Sequence, residues 1–255
     1  MSNKIEIDKK YIEQFVETIK SKEFCTYIQS DSLSENELRD AIKCAVYLAY
    51  LDTCRTFRYN QKGVKKEKLE KNSRGISDLA NTIYNYIFCD GKFVHHEVCL
   101  SLIDKYGMTY GQAQKIVNMT FKYIFCIKIF QEKEEKFRMC HMPLDSIMLE
   151  WIVRNTEGIK KKRVGTWSSM VHENKGQTED KKYAYKDYQE MIETYCKKNN
   201  TYPLKIDFEN WNKMKQVLSA EEFILSFNPE IKRRDLKEKT FDELISEIKN
   251  IIQNV

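Results

Sequence analysis

Turn-forming residues are scarce in this chain: 8 glycines and 3 prolines among 255 residues, about 4% where an average chain carries ~12%. Sandwiches, barrels and propellers place such residues at every turn, so the shortage excludes them and points to helices. Collagen-like and Pro/Gly-rich disordered chains are excluded for the same reason. Charged residues reach 32%, but 15 tyrosines and 13 phenylalanines supply apolar area that a disordered chain of this charge lacks. The expectation is an all-α, multi-helix globular protein. It is read as one compact unit over 1–255, with a division into two lobes, about 1–105 and 106–255, as the finer alternative.

The eight cysteines have no CxxC spacing and read as reduced, mostly buried thiols. The charged start, MSNKIEIDKK, has no apolar core of a secretory signal. No run approaches the ~18 apolar residues of a membrane span. These features predict a cytoplasmic protein with no membrane partner. The formal charge is +5, and its distribution is uneven. Basic residues concentrate in a segment near 57–75, with Arg55 and Arg58 leading into Lys62 and Lys65, and in a second near 156–180 with Lys160, Lys161, Lys162 and Arg163. Local basic patches suit a phosphate backbone; solvated loops are the alternative reading.

Helical periodicity recurs along the chain. Apolar residues from Tyr11 to Ile19 share a face. Ser34 and Glu37 have the spacing of a capping box and open a helix reaching about Thr56. Further helices are expected from Ser77 to Ile87, over 93–105, from Gln112 to Phe130, over 145–154, and at 181–198, 208–226 and 234–253. Thr240 and Glu243 repeat the capping-box spacing. Thr201–Phe208 is a candidate short strand weakened by Pro203.

The segment from Ser101 to Arg154 carries most of the chemistry. Gly107 and Gly111 bracket a short hairpin between two helices. Glycine lets main-chain amides approach a partner, and the following helix N-terminus adds oriented N–H groups, a combination that can hold a phosphate. Ordinary packing of two helices is the competing reading. The next helix places Lys115, Asn118, Met119 and Lys122 toward one side, with Lys115 and Lys122 two turns, about 10.5 Å, apart. The positive end of the helix dipole disfavours an ammonium at Lys115 and favours the free amine, a usable nucleophile. Solvated surface lysines are the alternative. Pro143-Leu144-Asp145 enters a later apolar helix. Asp145 there is an ordinary N-cap, or a carboxylate able to orient an amine and stabilise a developing cation.

Gln114-Lys115, a second lysine at Lys122 and Pro143-x-Asp145 about thirty residues later together resemble a pattern in the helix–hairpin–helix DNA glycosylase superfamily. The archaeal 8-oxoguanine DNA glycosylase branch is the most similar. The likeness spans roughly 107–151. It implies a helix–hairpin–helix element, a cleft between helical halves, Lys115 as the amine attacking the sugar C1′ and Asp145 as its partner. It also implies a DNA substrate with a damaged or modified base, base excision with strand cleavage by β-elimination, and no cofactor. Gln114, Asn118, Lys122 and His141 would support the pair. Gly107, Gly111 and the basic residues above would contact nucleic acid, and Trp167, which follows the Lys160–Arg163 run, would either stack on an unpaired base or cover a hydrophobic edge. The hairpin Gly107-Met108-Thr109-Tyr110-Gly111 departs from the family's hydrophobic-Pro-Gly core, and the family's base-recognition residues have no counterpart by motif.

Trp151, Trp167 and the tyrosines are candidates for a base-holding slot. His141 is read as either a neighbour of the Asp145 pocket or a solvated turn residue. Cys89, His95, His96, Cys99 and Cys140 lack the paired spacings of a zinc site, and no metal is expected. Motifs for nucleotide hydrolysis, zincin proteolysis and serine hydrolysis are absent from the sequence. Two further readings stand beside the glycosylase: a non-catalytic helical nucleic-acid-binding protein, and a helical interaction protein without a nucleic-acid role.

Overall fold

A computed structural model of the chain describes residues 6–58, 73–156, 166–173 and 184–253. Among the described residues there are thirteen α-helices, one 3₁₀ turn and no strand. The helices are α1 (Lys9–Val16), α2 (Lys22–Gln29), α3 (Glu35–Arg58), α4 (Ser73–Phe88), α5 (His95–Tyr106), α6 (Tyr110–Phe125) and α7 (Lys128–Gln131). They continue with α8 (Glu134–Phe137), α9 (Ser146–Asn155), α10 (Tyr185–Asn199), α11 (Pro203–Phe227), α12 (Arg233–Leu236) and α13 (Phe241–Gln253). The 3₁₀ turn is Trp167–Ser169. None of these helices is long and apolar enough to cross a membrane.

Helix α6 is the axis of the molecule. Apart from Gln112, every residue from Tyr110 to Phe125 is buried, so the helix is enclosed on all sides rather than laid on a surface. It starts two residues earlier than the sequence predicts, because Thr109 and Gln112 form a reciprocal capping box. Helices α3 and α5 pack along it. The predicted box at Ser34 also forms: the Ser34 amide donates to Glu37 Oε2 at 2.7 Å. So does the one at Thr240, whose amide donates to Glu243 Oε2 at 2.6 Å.

Three local expectations are corrected. Thr201–Phe208 holds no strand; Pro203 is the first residue of α11, where its fixed φ and missing N–H are both tolerated. Gly75, which with Gly63 reads in the sequence as punctuation of a loop over 57–75, lies inside α4, and a Cβ there would overlap the Tyr106 hydroxyl. The predicted helix over 112–130 ends at Phe125 and is followed by two short helices. One contiguous apolar core runs from Ile7 to Met214 and includes residues on both sides of position 105. A second, small cluster of Ala220, Ile224, Leu236 and Leu244 joins the far end of α11 to α12 and α13. Seven cysteines among the described residues are free thiols; four are buried, but Cys89 is exposed rather than part of the core.

Candidate functional site

Lys115 and Asp145 meet. Lys115 Nζ lies 3.9 Å from Asp145 Oδ2, with the two side chains only 10% and 13% exposed. Local chemistry sets the position of the carboxylate. Asp145 is the N-cap of α9, and its Oδ1 accepts from the Ile147 and Met148 amides at 3.0 Å each. That capping geometry is the ordinary one for Asp. It turns Oδ2 away from the helix, toward Lys115 and the Trp211 indole, whose Nε1 donates to it at 3.0 Å.

Gln114 and Asn118 hold the segment that delivers Asp145. Gln114 is fully buried. Its Nε2 donates to the Leu144 carbonyl at 3.0 Å, and its Oε1 accepts from the Leu144 amide at 3.3 Å. Asn118 Nδ2 donates to the Met142 carbonyl and to Gln114 Oε1, at 3.1 and 3.0 Å. These two side chains therefore clamp the main chain just before Asp145. Asn118 stands with Gln114 on a neighbouring face of α6, not on the face of Lys115 as the sequence predicts.

Lys122 is neither solvated nor free. It is 3% exposed and pairs with Asp207 at 2.5 Å. The Phe15 and Phe208 rings lie 4.3 and 5.2 Å from its Nζ. Burial holds the Asp207 carboxyl above the usual carboxylate range, with Lys122 opposing that rise. Lys115, Lys122, Asp145 and Trp211 line one pocket of about 560 Å³ together with Phe15, Tyr47, Asp52, Met119 and Tyr123. The Tyr123 hydroxyl donates to Asp52 Oδ2. Cys44 also lines the pocket, but burial pushes its thiol up to about 11, so it is no thiolate nucleophile at neutral pH.

Several expected contacts fall elsewhere. Trp167 is 6% exposed, and its ring centre lies 4.5 Å from Lys115 Nζ. It covers the lysine and is not an open stacking platform. Trp151 packs edge-on against Tyr195 and is not part of this pocket; the aromatic walls come from Phe15, Tyr47, Tyr123 and Trp211. The Gly111 amide donates to the Met170 carbonyl at 3.0 Å, so it is not available to a phosphate. A Cβ on Gly111 would overlap the Trp167 carbonyl oxygen, which explains the glycine by close main-chain approach. Gly107 ends α5 in the left-handed conformation, φ 65°, with open space around it. His141 belongs to neither predicted setting. Its Nδ1 lies 2.8 Å from the Tyr185 hydroxyl, and burial lowers it to about 4.

Arg55 and Arg58 lie on α3, but their side chains, like Lys62, Lys65, Lys160, Lys161, Lys162 and Arg163, lie outside the described residues. Arg154, at the edge of the second basic segment, is neutralised by Glu221 at 2.7 Å and Glu150 at 3.8 Å. Sequence reasoning missed Trp211 and Asp207. Their four-residue spacing on one face of α11 was the available signal, but nothing local tied that face to α6. Among the described residues no group of three or more His, Cys, Asp or Glu side chains is arranged to hold a metal ion.

Fold and site thus define an all-α protein in which one buried helix presents Lys115 to Asp145 and Lys122 to Asp207, with both lysines and Asp145 lining one pocket. Comparison with family models, with curated proteins and with solved structures finds no match.

Proposed function

We propose that the protein is a base-excision DNA glycosylase of helix–hairpin–helix type with lyase activity, in which Lys115 is the nucleophile and Asp145 its partner. The observation that carries this reading is the 3.9 Å approach of Lys115 to an oriented aspartate inside a pocket with aromatic walls. The helix pair α5–α6 with its Gly107–Thr109 turn would be the hairpin element, and the pocket would be part of the cleft that takes the extruded nucleotide. Lys115 Nζ forms a bond to C1′ as the C1′–base bond breaks, and the base leaves with that electron pair and takes up a proton. Asp145 stabilises cationic character on the sugar and accepts the proton lost by the amine. Opening of the sugar ring gives the Schiff base, and loss of a proton from C2′ expels the 3′ phosphate.

Borohydride trapping tests this directly. Wild-type protein is expected to form a covalent adduct with duplex DNA carrying an abasic site, Lys115→Met to form none, and Asp145→Asn to form it at least tenfold more slowly, about 1.4 kcal/mol of barrier. Absence of a Lys115-dependent adduct across abasic and assorted damaged substrates overturns the lyase assignment. One observation favours a second reading, a lysine whose role is structural: both Asp145 oxygens already have protein partners. In that case Lys115→Met lowers stability and changes no reaction.

Phosphate contact would involve Lys20, Lys213 and Lys215. All three are exposed, and none has an ion-pair partner among the described residues. Lys20 lines the pocket, and Lys215 Nζ lies 5.2 Å from the ring of Trp211. Replacing Lys20 and Lys215 by Gln is expected to flatten the plot of log K against log salt by about 0.9 per lysine. A wild-type affinity independent of salt removes nucleic acid as the partner.

A further inference from the structure

The 4 histidines of the chain lie in one cluster, although the sequence spreads them from His95 to His172. The His96 and His172 rings stack with centroids 3.8 Å apart and 25° between their planes. His96 Nδ1 lies 3.2 Å from the Tyr110 hydroxyl, and the Tyr110 ring centre is 4.8 Å from that of His172. Behind this stack, the rings of His95 and His141 are 4.3 Å apart. The Tyr185 hydroxyl is within hydrogen-bonding distance of both, at 3.4 and 2.8 Å.

His172 belongs to the strap 166–173, which lies over the start of α6. Hydrogen bonds to its main-chain carbonyls hold the strap from two sides. Thr109 Oγ1 donates to the Ser168 carbonyl at 2.5 Å, and the Gly111 amide donates to Met170 as described. At the start of α10 the Tyr185 and Lys186 amides donate to the Val171 and His172 carbonyls, at 2.9 and 3.1 Å. The same strap carries Trp167, the ring that covers Lys115. The histidine stack and the lid on the lysine are therefore two ends of one short segment.

We propose that His172, stacked on His96, is an acid-released latch: neutral, it holds the strap and Trp167 over Lys115; protonated, it leaves the stack and the strap lifts. The charged and titratable groups around the stack fit this assignment. From α5 come His95 and the Cys99 thiol; from α6, Tyr110; from α10, Tyr185 and Lys186; from the strap itself, Glu173; and His141 stands behind His95. Glu173 is the single carboxylate among them. Its Oε1 lies 3.9 Å from His172 Nδ1 but 2.9 Å from Lys186 Nζ, so it is already paired. Among the described residues an imidazolium at His172 has no second counter-charge here.

The direction of the effect follows from the closed state. Burial, then the facing His96, hold His172 below the ordinary histidine value, with Lys186 adding to the fall and Glu173 opposing it. Burial and the neighbouring imidazoles hold His95 well below it. An open strap returns His172 to water and to its ordinary value of about 6.5. Closure is therefore fully favoured above that pH and is lost as pH falls through the lowered value. The device rests on the proposed role of Lys115 for its purpose, but not for its geometry.

The test reads the strap rather than activity, which keeps its failure distinct from failure of the glycosylase reading. Amide hydrogen exchange of the full chain is compared at about pH 7.5 and about pH 5, on either side of the ordinary histidine value, and corrected for intrinsic exchange. Protection of the Gly111, Tyr185 and Lys186 amides is expected to drop by roughly tenfold or more at the lower pH, while Ile116 and Val117 inside α6 keep theirs. His172→Phe, which keeps a ring but cannot take a proton, is expected to abolish the drop; His172→Gln is the second variant if the first does not fold. Equal protection at the two pH values overturns the latch. So does a drop that survives both substitutions, or one that extends to the α6 interior.

Discussion

Asp207→Ala is expected to destabilise the protein by about 3–5 kcal/mol. The variant leaves the Lys122 ammonium, 3% exposed, with no carboxylate at its 2.5 Å contact. The converse change, Lys122→Met, is expected to be milder. A buried carboxyl left alone can take up a proton, and burial already holds Asp207 above the usual range. The sign is that of a raised acid: relative to wild type, Lys122→Met is least destabilised at low pH and loses more as pH rises through the raised value. Lys122→Met combined with Asp207→Leu removes both charges and is expected to return close to wild-type stability or exceed it. Urea titrations of the three variants at two pH values decide the matter. An Asp207→Ala loss below about 1 kcal/mol, the range of exposed pairs, would sink the claim that this pair is desolvated and interdependent.

Gln114→Ala should rank next, at about 3 kcal/mol, because it strands both main-chain groups of Leu144 in the interior at ~1–3 kcal/mol each. The side chain is fully buried and bonds the Leu144 amide and carbonyl as well as Asn118. Its loss also frees the approach to α9, so Asp145 loses its fixed relation to Lys115. Adduct formation should fall although Lys115 is untouched. Asn118→Ala tests the network through a double-mutant cycle, with a coupling of about 1–2 kcal/mol expected between the two side chains. Strictly additive losses, or full adduct yield in Gln114→Ala, would show that the clamp on Leu144 does not position Asp145.

The two predictions concern residues that differ in how far the sequence reveals them. Lys115 and Lys122 share a face by helical periodicity alone, and Asp145 is an N-cap because it follows Pro143-Leu144 and precedes an apolar helix. The capping boxes at Ser34 and Thr240 are read from spacing and form as read. The box at Thr109 is hidden in the sequence because Gly111 reads there as the edge of a hairpin. The structure shows it instead as a helical residue that lets the strap approach. Pro203 argues against the candidate strand over Thr201–Phe208, and the structure agrees: it sits at the first position of a helix, where proline is favoured.

Asp207 and Trp211 follow Lys115 by 92 and 96 positions, and no periodicity relates helices that far apart. The same holds for the histidines gathered from α5, the turn before α9 and the strap. Helix spans, their caps and the facing of the two lysines are local properties, set by a 3.6-residue repeat and by hydrogen bonds within a few positions. They are written in the order of residues and can be read there. Which carboxylate neutralises which lysine, which indole is buried and which rings stack are consequences of packing. Burying α6 on every side removes solvent from Lys122 and requires a counter-charge from α11, a requirement that arises only once the helices have closed on one another.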